Sequence, residues 1–387
     1  MDVDNRPLSV MLVISSLEYG GAERQVIELV KNFDRSKIDP IICSLSHEVP
    51  LAEHLPDIER DLIIVEKKGR FDASTVARLA AVMRERRVDI AHAFLFDAEI
   101  ATRLAARRAK VPVVIASERN TDYARPLVQT IFQWVTRSMY DVMIANSNAG
   151  KRFNMRTLKL ADEKVRVVHN GIDIDLFRPD KEARAKIRAE LGLKNSEPVV
   201  GMVASFKRQK RHQDFFKMAS KVLESHPNAW FLLAGEPLRD NQQGAADYHQ
   251  EVRSVLSALG IEPRCHFLGN RDDMRDVYNA CDVTVLTSSR EGTPNVLLES
   301  MACEVPVVAT NIADNAEIVR EGETGFVVPL AQPDVMAERV SWLLSDLDEC
   351  QHYGEVARKW VCESFSTAAL VRNTEDIYVS LFSNKLD

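Results

Sequence analysis

The 387-residue chain has no apolar run that approaches the ~18 uninterrupted residues of a membrane-spanning helix. Met1 to Arg6 is too polar to open a secretory signal, so a cytoplasmic location is expected. The six cysteines (Cys43, Cys265, Cys281, Cys303, Cys350 and Cys362) form no C-x-x-C pair and show no metal-ligand spacing, which leaves them as structural or incidental thiols. No repeat with a period of about 20–50 residues is apparent, which excludes a solenoid or propeller. An excess of positive charge is also missing: 50 Lys plus Arg face 57 Asp plus Glu, so nucleic acid is not expected as a partner.

What the chain does have is apolar material, 45% of its residues, with 28% charged. That excludes a disordered or fibrous protein, and at roughly 150 residues per domain the length predicts two or three domains. The acidic balance is uneven. Residues 1–170 hold 26 basic and 23 acidic side chains, against 24 and 34 in 171–387, and the window 60–170 alone holds 21 basic and 12 acidic.

Short β-branched runs alternate with stretches of helical period. Strands are predicted at Leu8–Ile14, Ile41–Leu45, Leu62–Val65, Ile90–Phe94, Val113–Ala116 and Val142–Ala145, with helices near 22–32, 74–87, 98–109, 126–139 and 148–158. The rhythm breaks at HNGIDIDLFRP, residues 169–179, where Asn-Gly and Pro interrupt the periodicity. A second series follows with PVVGMVAS, WFLLAG, CHFLG, DVTVLTSS and PVVAT, and the tail from about Thr367 to Phe382 is again helical in pattern. The predicted fold class is α/β: two Rossmann-like, doubly wound parallel-sheet domains facing a cleft. The expected division is an N-terminal domain over 1–172, with a terminal helix at about 367–387 packing back on it, and a second domain over 173–366.

Three segments carry candidate chemistry. In TSSREGTPNVLLESMA, residues 287–302, an apolar strand gives way to a helix. Thr293 is suited to the N-cap and Pro294 to the first helical position, which would aim the amides of Asn295 and Val296 at an anion. Glu291 in the loop and Glu299 on the helix are eight residues apart, able to reach opposite ends of one bound molecule. In SFKRQKRH, residues 205–212, Lys207, Arg208, Lys210 and Arg211 follow a strand, where cations neutralise a diphosphate without a metal. In EYGGAER, Gly20 and Gly21 fall between the first strand and the first helix and permit close backbone approach to a ligand, although the spacing is not the G-x-G-x-x-G of dinucleotide dehydrogenases. A solvated basic loop and a plain tight turn are the ordinary alternatives for the last two.

Taken together, YGGAER, VDIAHAF, PVVIASERN, VHNGIDIDLF, SFKRQK, LLAGE, FLGNRDDM, EGTPNVLLES, VPVVATNIADNAEIV and GETGFVV resemble glycosyltransferase family 4, over essentially the whole chain. That family comprises retaining, nucleotide-sugar-dependent enzymes of the GT-B fold. By this resemblance Glu291 contacts the donor sugar, Glu299 holds the ribose, and Lys210 stabilises the departing diphosphate. Asn295 and Val296 offer amides to phosphate or nearby sugar oxygens, with Gly292 and Thr293 in the same loop. Gly20 and Gly21 belong to a loop that closes over the diphosphate; Gly269, Asn270 and Arg271 lie beside the base; Ser205 and Gly235 complete the donor-binding set.

The sequence departs from the family at several points. An arginine often found five residues before the lysine is Ser205 here, with Arg208 or Lys207 as substitute charge. The histidine often found two residues beyond His92 is Phe94, which leaves His92 open to a packing role. The short glycine loop reads Ala313, Asp314, Asn315, and Asp314 fits either a sugar contact or a turn. The D-x-D strings at Asp2/Asp4 and Asp173/Asp175 are not taken as metal ligands.

The expected function is transfer of a sugar from a nucleotide diphosphate to an acceptor hydroxyl with retention, in bacterial-type surface polysaccharide or lipid-linked glycan synthesis. No cofactor or metal is expected; the nucleotide sugar is a substrate. A non-catalytic sugar-nucleotide-binding partner subunit and a GT-B-fold epimerase are the alternatives. In YARPLVQTIFQWVTRSMY, residues 123–140, Leu127, Ile131, Trp134 and Val135 share one helical face flanked by Arg125 and Arg137. Either that face packs on its own sheet, or it meets an anionic membrane surface, which would make the protein peripheral at the inner face of the membrane.

Overall fold

The computed structural model describes residues 6–69, 72–119, 126–235 and 245–385. Asp2, Asp4, Asn120, Tyr123, Ala124, Arg125 and Glu236, named above, lie outside the described residues. The chain divides into two compact units, one of residues 1–171 with 367–387 and one of residues 172–366.

The first unit is built on seven strands: β1 (Leu8–Ile14), β2 (Ile38–Ser44), β3 (Leu62–Ile64), β4 (Ile90–Phe94), β5 (Val113–Glu118), β6 (Val142–Ala145) and β7 (Val165–Val167). All neighbours pair in parallel, in the order β3-β2-β1-β4-β5-β6-β7. Helices cover both faces, so the central strands are buried on each side and read as nearly continuous apolar runs rather than alternating ones. Val10, Leu12 and Ile14 face one core cluster while Met11 and Val13 face the other. Two of the connecting helices begin on side-chain caps that absorb orphan amides: Asp72 accepts from Ser74 N, and Ser147 from Gly150 N.

The second unit repeats the plan with six strands: β8 (Val199–Val203), β9 (Trp230–Ala234), β10 (Cys265–Gly269), β11 (Val283–Leu286), β12 (Val307–Thr310) and β13 (Gly325–Val328), ordered β10-β9-β8-β11-β12-β13. At the base of its sheet the part-buried Asp282 carboxylate joins Arg184 at 2.6 Å, Arg188 at 2.8 Å and the amide of Val199 at 2.8 Å, which ties the helix Lys181–Glu190 to the first strand of the sheet. Asp173 closes a turn by accepting from the amides of Asp175 and Leu176, a structural use for that D-x-D string.

Each sheet reverses its strand order once, between β1 and β4 and between β8 and β11. In open α/β sheets the crevice outside the C-terminal ends of the strands at such a reversal is where ligands bind. The loops after β1, β4, β8 and β11 are therefore the places to look.

The last helix, Thr367–Ser383, returns to the first unit, where Leu370, Val371 and Tyr378 enter the core cluster beside Val26, Leu29 and Phe33. The Tyr378 hydroxyl and His92 Nδ1 share a 2.7 Å hydrogen bond in the interior. Fully burying three such side chains contributes roughly 5 kcal/mol or more, comparable with the whole stability of an ordinary domain. A chain ended at Ser366 is thus expected to lose the cooperative melting of its first unit in calorimetry while the second unit still unfolds as a peak. Two undisturbed transitions would refute this assignment of the helix.

Candidate functional site

Lys210 lies in the loop after β8, at the end of the one-turn helix Arg208–Lys210, and Glu291 in the loop after β11. Because β8 and β11 are neighbours at the reversal, the two loops meet. The Lys210 Nζ donates to Glu291 Oε1 at 2.5 Å, with both side chains largely buried. Hydrogen bonds to backbone carbonyls hold the arrangement: Thr287 Oγ1 donates to the Lys210 carbonyl at 2.6 Å, Ser289 N to the Gln209 carbonyl at 2.7 Å, and Thr310 Oγ1 to the Ser288 carbonyl at 2.6 Å. The hydroxyl-rich TSS after β11 thus stitches the carboxylate loop to the cationic one.

Gly235 explains the fixed start of the cationic loop. Its φ of +149° is one that side chains avoid, and an added Cβ would fall 2.1 Å from the Ala204 carbonyl oxygen. Its amide donates to Gly269 at 2.8 Å, joining the ends of β9 and β10. The loop then runs through Ser205, whose carbonyl accepts from Lys207 N at 2.7 Å.

The four cations do not act as one cluster. Arg208 forms a two-pronged ion pair with Glu251, at 2.7 and 2.5 Å, and lies over the Tyr248 ring. Arg211 binds Asp214 at 2.6 Å, and Lys207 is exposed. Lys210 alone of the four faces the carboxylate loop, so the charge expected of Arg208 at that place is committed elsewhere. Arg271 is likewise clamped by Glu190 and Asp273, each at 2.7 Å, and Asn270 beside it is exposed. The Asp273 and Glu190 carboxylates raise the Arg271 pKa further.

The helix after the carboxylate loop spans Asn295–Ala302, with Pro294 at its N-cap in extended conformation (φ −77°, ψ 103°). The cap therefore sits one residue later than Thr293, the expected position, and Pro294 is outside the helix. Thr293, one residue before the cap, is buried, and Pro294 has no side-chain group to offer a cap bond. The Pro294 carbonyl instead accepts from Leu297 N at 3.1 Å. Asn295 and Val296 remain the first-turn residues, where the helix dipole presents its positive end, with Gly292 just before. Glu299, on the same helix and only 8% exposed, accepts a 2.7 Å hydrogen bond from the Tyr278 hydroxyl. Burial, reinforced by Glu299, drives the Tyr278 pKa well up, so the phenol stays a donor.

In the short loop before the helix Asn315–Ile318, Ala313 adopts φ +46°, the left-handed conformation for which glycine is the usual residue. Asp314, fully buried, is the N-cap residue of that helix, and its carbonyl accepts from Glu317 N at 2.8 Å and Ile318 N at 3.0 Å.

In the first unit Gly20 is the N-cap of the helix Gly21–Asn32. A side chain at Gly20 would collide with Glu23 Oε2 at 2.1 Å, whereas one at Gly21 would meet nothing within 4 Å, so crowding does not account for Gly21. His92 is fully buried, tilted against Phe94 at 4.2 Å and bound to Tyr378. Burial, aided by the Arg119 charge, pushes its pKa well below the usual range, so the imidazole is neutral.

Sequence reasoning passed over several of these residues. Tyr278 lies 21 positions from the carboxylate it holds, and Glu251 lies 43 positions from Arg208. No local pattern marks either pairing. Arg119, buried at the end of β5 with its pKa lowered by burial to about 10, donates to Asn170 at 2.7 Å. An arginine directly after a strand C-terminus was the available signal.

Two Rossmann-like parallel-sheet units in one chain form the GT-B architecture. Residues 19–176 match the model for Glycosyltransferase Family 4, and residues 183–360 match that for Glycosyl transferases group 1. The chain belongs to glycosyltransferase family 4 and is a glycosyltransferase. It is 25% identical over 317 residues to the N-acetyl-alpha-D-glucosaminyl L-malate synthase of Bacillus anthracis, covering 80% of this chain and 79% of the relative. It is 24% identical over 357 residues to an Escherichia coli enzyme, UDP-Gal:alpha-D-GlcNAc-diphosphoundecaprenol alpha-1,3-galactosyltransferase, covering 89% of both chains. In fold it is similar to Anabaena HepE, crystallised in complex with UDP, with a TM-score of 0.86 and 21% identity over 96% of this chain and all of the other.

His212 opens the helix His212–Ser225 directly after the cationic loop. It stacks on Phe206 at 4.2 Å, and both its amide and Nδ1 meet the Tyr248 hydroxyl. Burial lowers its pKa from 6.5 to about 4. The folded-state pKa is depressed, so below pH 6.5 the unfolded chain takes up a proton that the folded chain refuses. This contribution is complete above pH 6.5 and lost as pH falls toward 4. Between pH 7.5 and 5.0 it amounts to about 2 kcal/mol. Urea unfolding is expected to show His212→Gln losing less stability than wild type over that interval, by about this amount. Parallel losses would show that the imidazole is not held neutral.

Proposed function

We propose that the protein is a retaining glycosyltransferase that moves a sugar from a nucleoside diphosphate to an acceptor hydroxyl, in the assembly of a cell-surface polysaccharide or lipid-linked glycan at the inner face of a membrane. The observation that carries the donor chemistry is the Lys210–Glu291 pair at the β8/β11 reversal, beside the N-terminus of the helix Asn295–Ala302. A cation, a helix N-terminus and two carboxylates suit an ionic diphosphate flanked by two hydroxyl-bearing sugars.

In this reading Lys210 exchanges its carboxylate partner for a phosphate oxygen, and the first-turn amides at Asn295 and Val296 bind the other side of the diphosphate. Glu291, released, accepts from hydroxyls of the transferred sugar. Glu299, aimed by Tyr278, accepts from the ribose hydroxyls. The bond from the anomeric carbon to the diphosphate oxygen breaks, leaving the electron pair on the phosphate, where Lys210 and the helix dipole stabilise it. The acceptor oxygen attacks from the same face, and its proton passes to the departing phosphate oxygen. No protein nucleophile and no metal are assigned to the step. The names of the relatives support the class: one is a galactosyltransferase whose named donor is UDP-Gal and whose named acceptor is a diphosphoundecaprenol-linked sugar.

Lys210→Ala removes the cation that faces the developing charge. Transfer should fall about 10²–10³-fold in kcat, the scale seen when one preorganised transition-state partner is lost. Thermal unfolding without ligand should remain cooperative. A well-folded variant with near-normal turnover would take Lys210 out of the mechanism.

A further inference from the structure

The helix Leu127–Thr136 in the first unit is amphipathic in the opposite sense to a helix that covers a sheet. At about 100° per residue, Leu127, Val128, Ile131, Trp134 and Val135 fall within an arc of roughly 120°. These five are between 48% and 75% exposed. The buried residues are polar: Gln133 and Thr136. Gln133 donates to Glu99 Oε2, Arg103 donates to Thr136 Oγ1 at 2.8 Å and to Glu99 at 2.8 Å, and the Arg103 guanidinium lies over the Tyr140 ring. A buried ion pair and two hydrogen bonds therefore fix the roll of the helix with its apolar side outward. A simple rotation that hid the apolar side would strand Glu99 and Arg103, each at most 1% exposed, without these partners.

The surroundings are cationic. The helix itself has no charged residue, and Arg137, which follows it, lies 4.2 Å over the Trp134 ring. Of the two helices packed against it, Phe96–Ala109 ends in exposed Arg107 and Arg108, and Asn148–Leu158 carries no acid but Arg152, Arg156 and a Lys151 that is paired with Asp162 at 2.7 Å. The acids on these helices are Glu99, bound to Arg103, and Asp97, paired with Lys67 at 3.3 Å.

We infer that this face docks onto an anionic lipid bilayer. Leu127, Val128, Ile131 and Val135 enter the boundary between headgroups and acyl chains, Trp134 sits at that boundary, and the flanking arginines meet anionic headgroups. Charge decides the occupant: a second copy would bring the same cations against their own kind across a two-fold axis, whereas an anionic surface complements them. The inference deepens the proposed membrane placement by naming the surface. It stands apart from the donor chemistry, since vesicle binding needs no nucleotide.

The test uses the full chain and vesicles of mixed phosphatidylglycerol and phosphatidylcholine at about 50 mM salt, where surface charges are weakly screened. Wild type should sediment with them, with a blue shift of tryptophan emission that disappears in Trp134→Phe. Ile131→Glu/Val135→Glu alters only exposed positions, so its melting should match wild type while its vesicle affinity falls at least about tenfold. Pure phosphatidylcholine should also bind at least about tenfold more weakly. Failure of wild type to sediment, or equal binding by the folded double variant, would overturn the proposal. So would a dimer in light scattering that the double variant abolishes without any vesicle binding, which would assign the face to a second copy.

Discussion

The ion pair between Lys210 and Glu291 is the constraint around which the second unit's site is arranged. Two opposite charges at 2.5 Å in a largely buried setting have lost much of their hydration. Their mutual attraction offsets that loss only while the geometry is kept. A pair of apolar side chains would serve the fold about as well, so stability alone does not explain it. The strand order explains its place: β8 and β11 are adjacent where the sheet reverses, and Thr287, Ser289 and Gly235 fix the two loops that follow them. Remove the lysine and the carboxylate loop loses the cation that faces it; remove the carboxylate and the lysine is available to an anion.

The same economy of charge runs through the neighbouring residues. Arg208, Arg211 and Arg271 each have carboxylate partners within their own unit, so a loop that reads as strongly basic presents one cation toward the carboxylate loop rather than four. Glu299 is aimed by a phenol that burial keeps protonated. In the first unit the last helix fills the core and fixes His92 through Tyr378, while the buried polar group of Glu99, Arg103, Gln133 and Thr136 holds the helix Leu127–Thr136 with its apolar side outward.

How much of this was legible in the sequence varies with the range of the interaction involved. Strands such as Leu8–Ile14, Ile90–Phe94 and Val142–Ala145 were read at their true bounds, because strands buried on both faces leave an unbroken apolar signal. Val165–Val167 and Gly325–Val328 went unread as strands: one is three residues with a charge in the middle, and the other opens on glycine in a run of turn residues. The cap of the helix Asn295–Ala302 falls at Pro294, one residue later than Thr293, whose side-chain chemistry pointed to it. Glu291, Glu299 and Lys210 stood out locally; Tyr278 and Glu251, which settle what Glu299 and Arg208 are able to do, are joined to them only by the fold. The apolar face of Leu127, Ile131, Trp134 and Val135 was visible as a face, but its outward direction depends on Glu99 and Arg103, about thirty residues away in the chain.

The central claim is that Lys210 leaves Glu291 for the diphosphate when donor binds. Calorimetric titration of a nucleoside diphosphate lacking the sugar into Glu291→Gln tests it most directly. Freed from its carboxylate and from the negative charge beside the phosphates, Lys210 should bind the diphosphate several-fold more tightly than in wild type, roughly a 1 kcal/mol gain. If the affinity of Glu291→Gln falls instead, as it would were the carboxylate needed to hold the lysine in place for phosphate, the exchange of partners is contradicted.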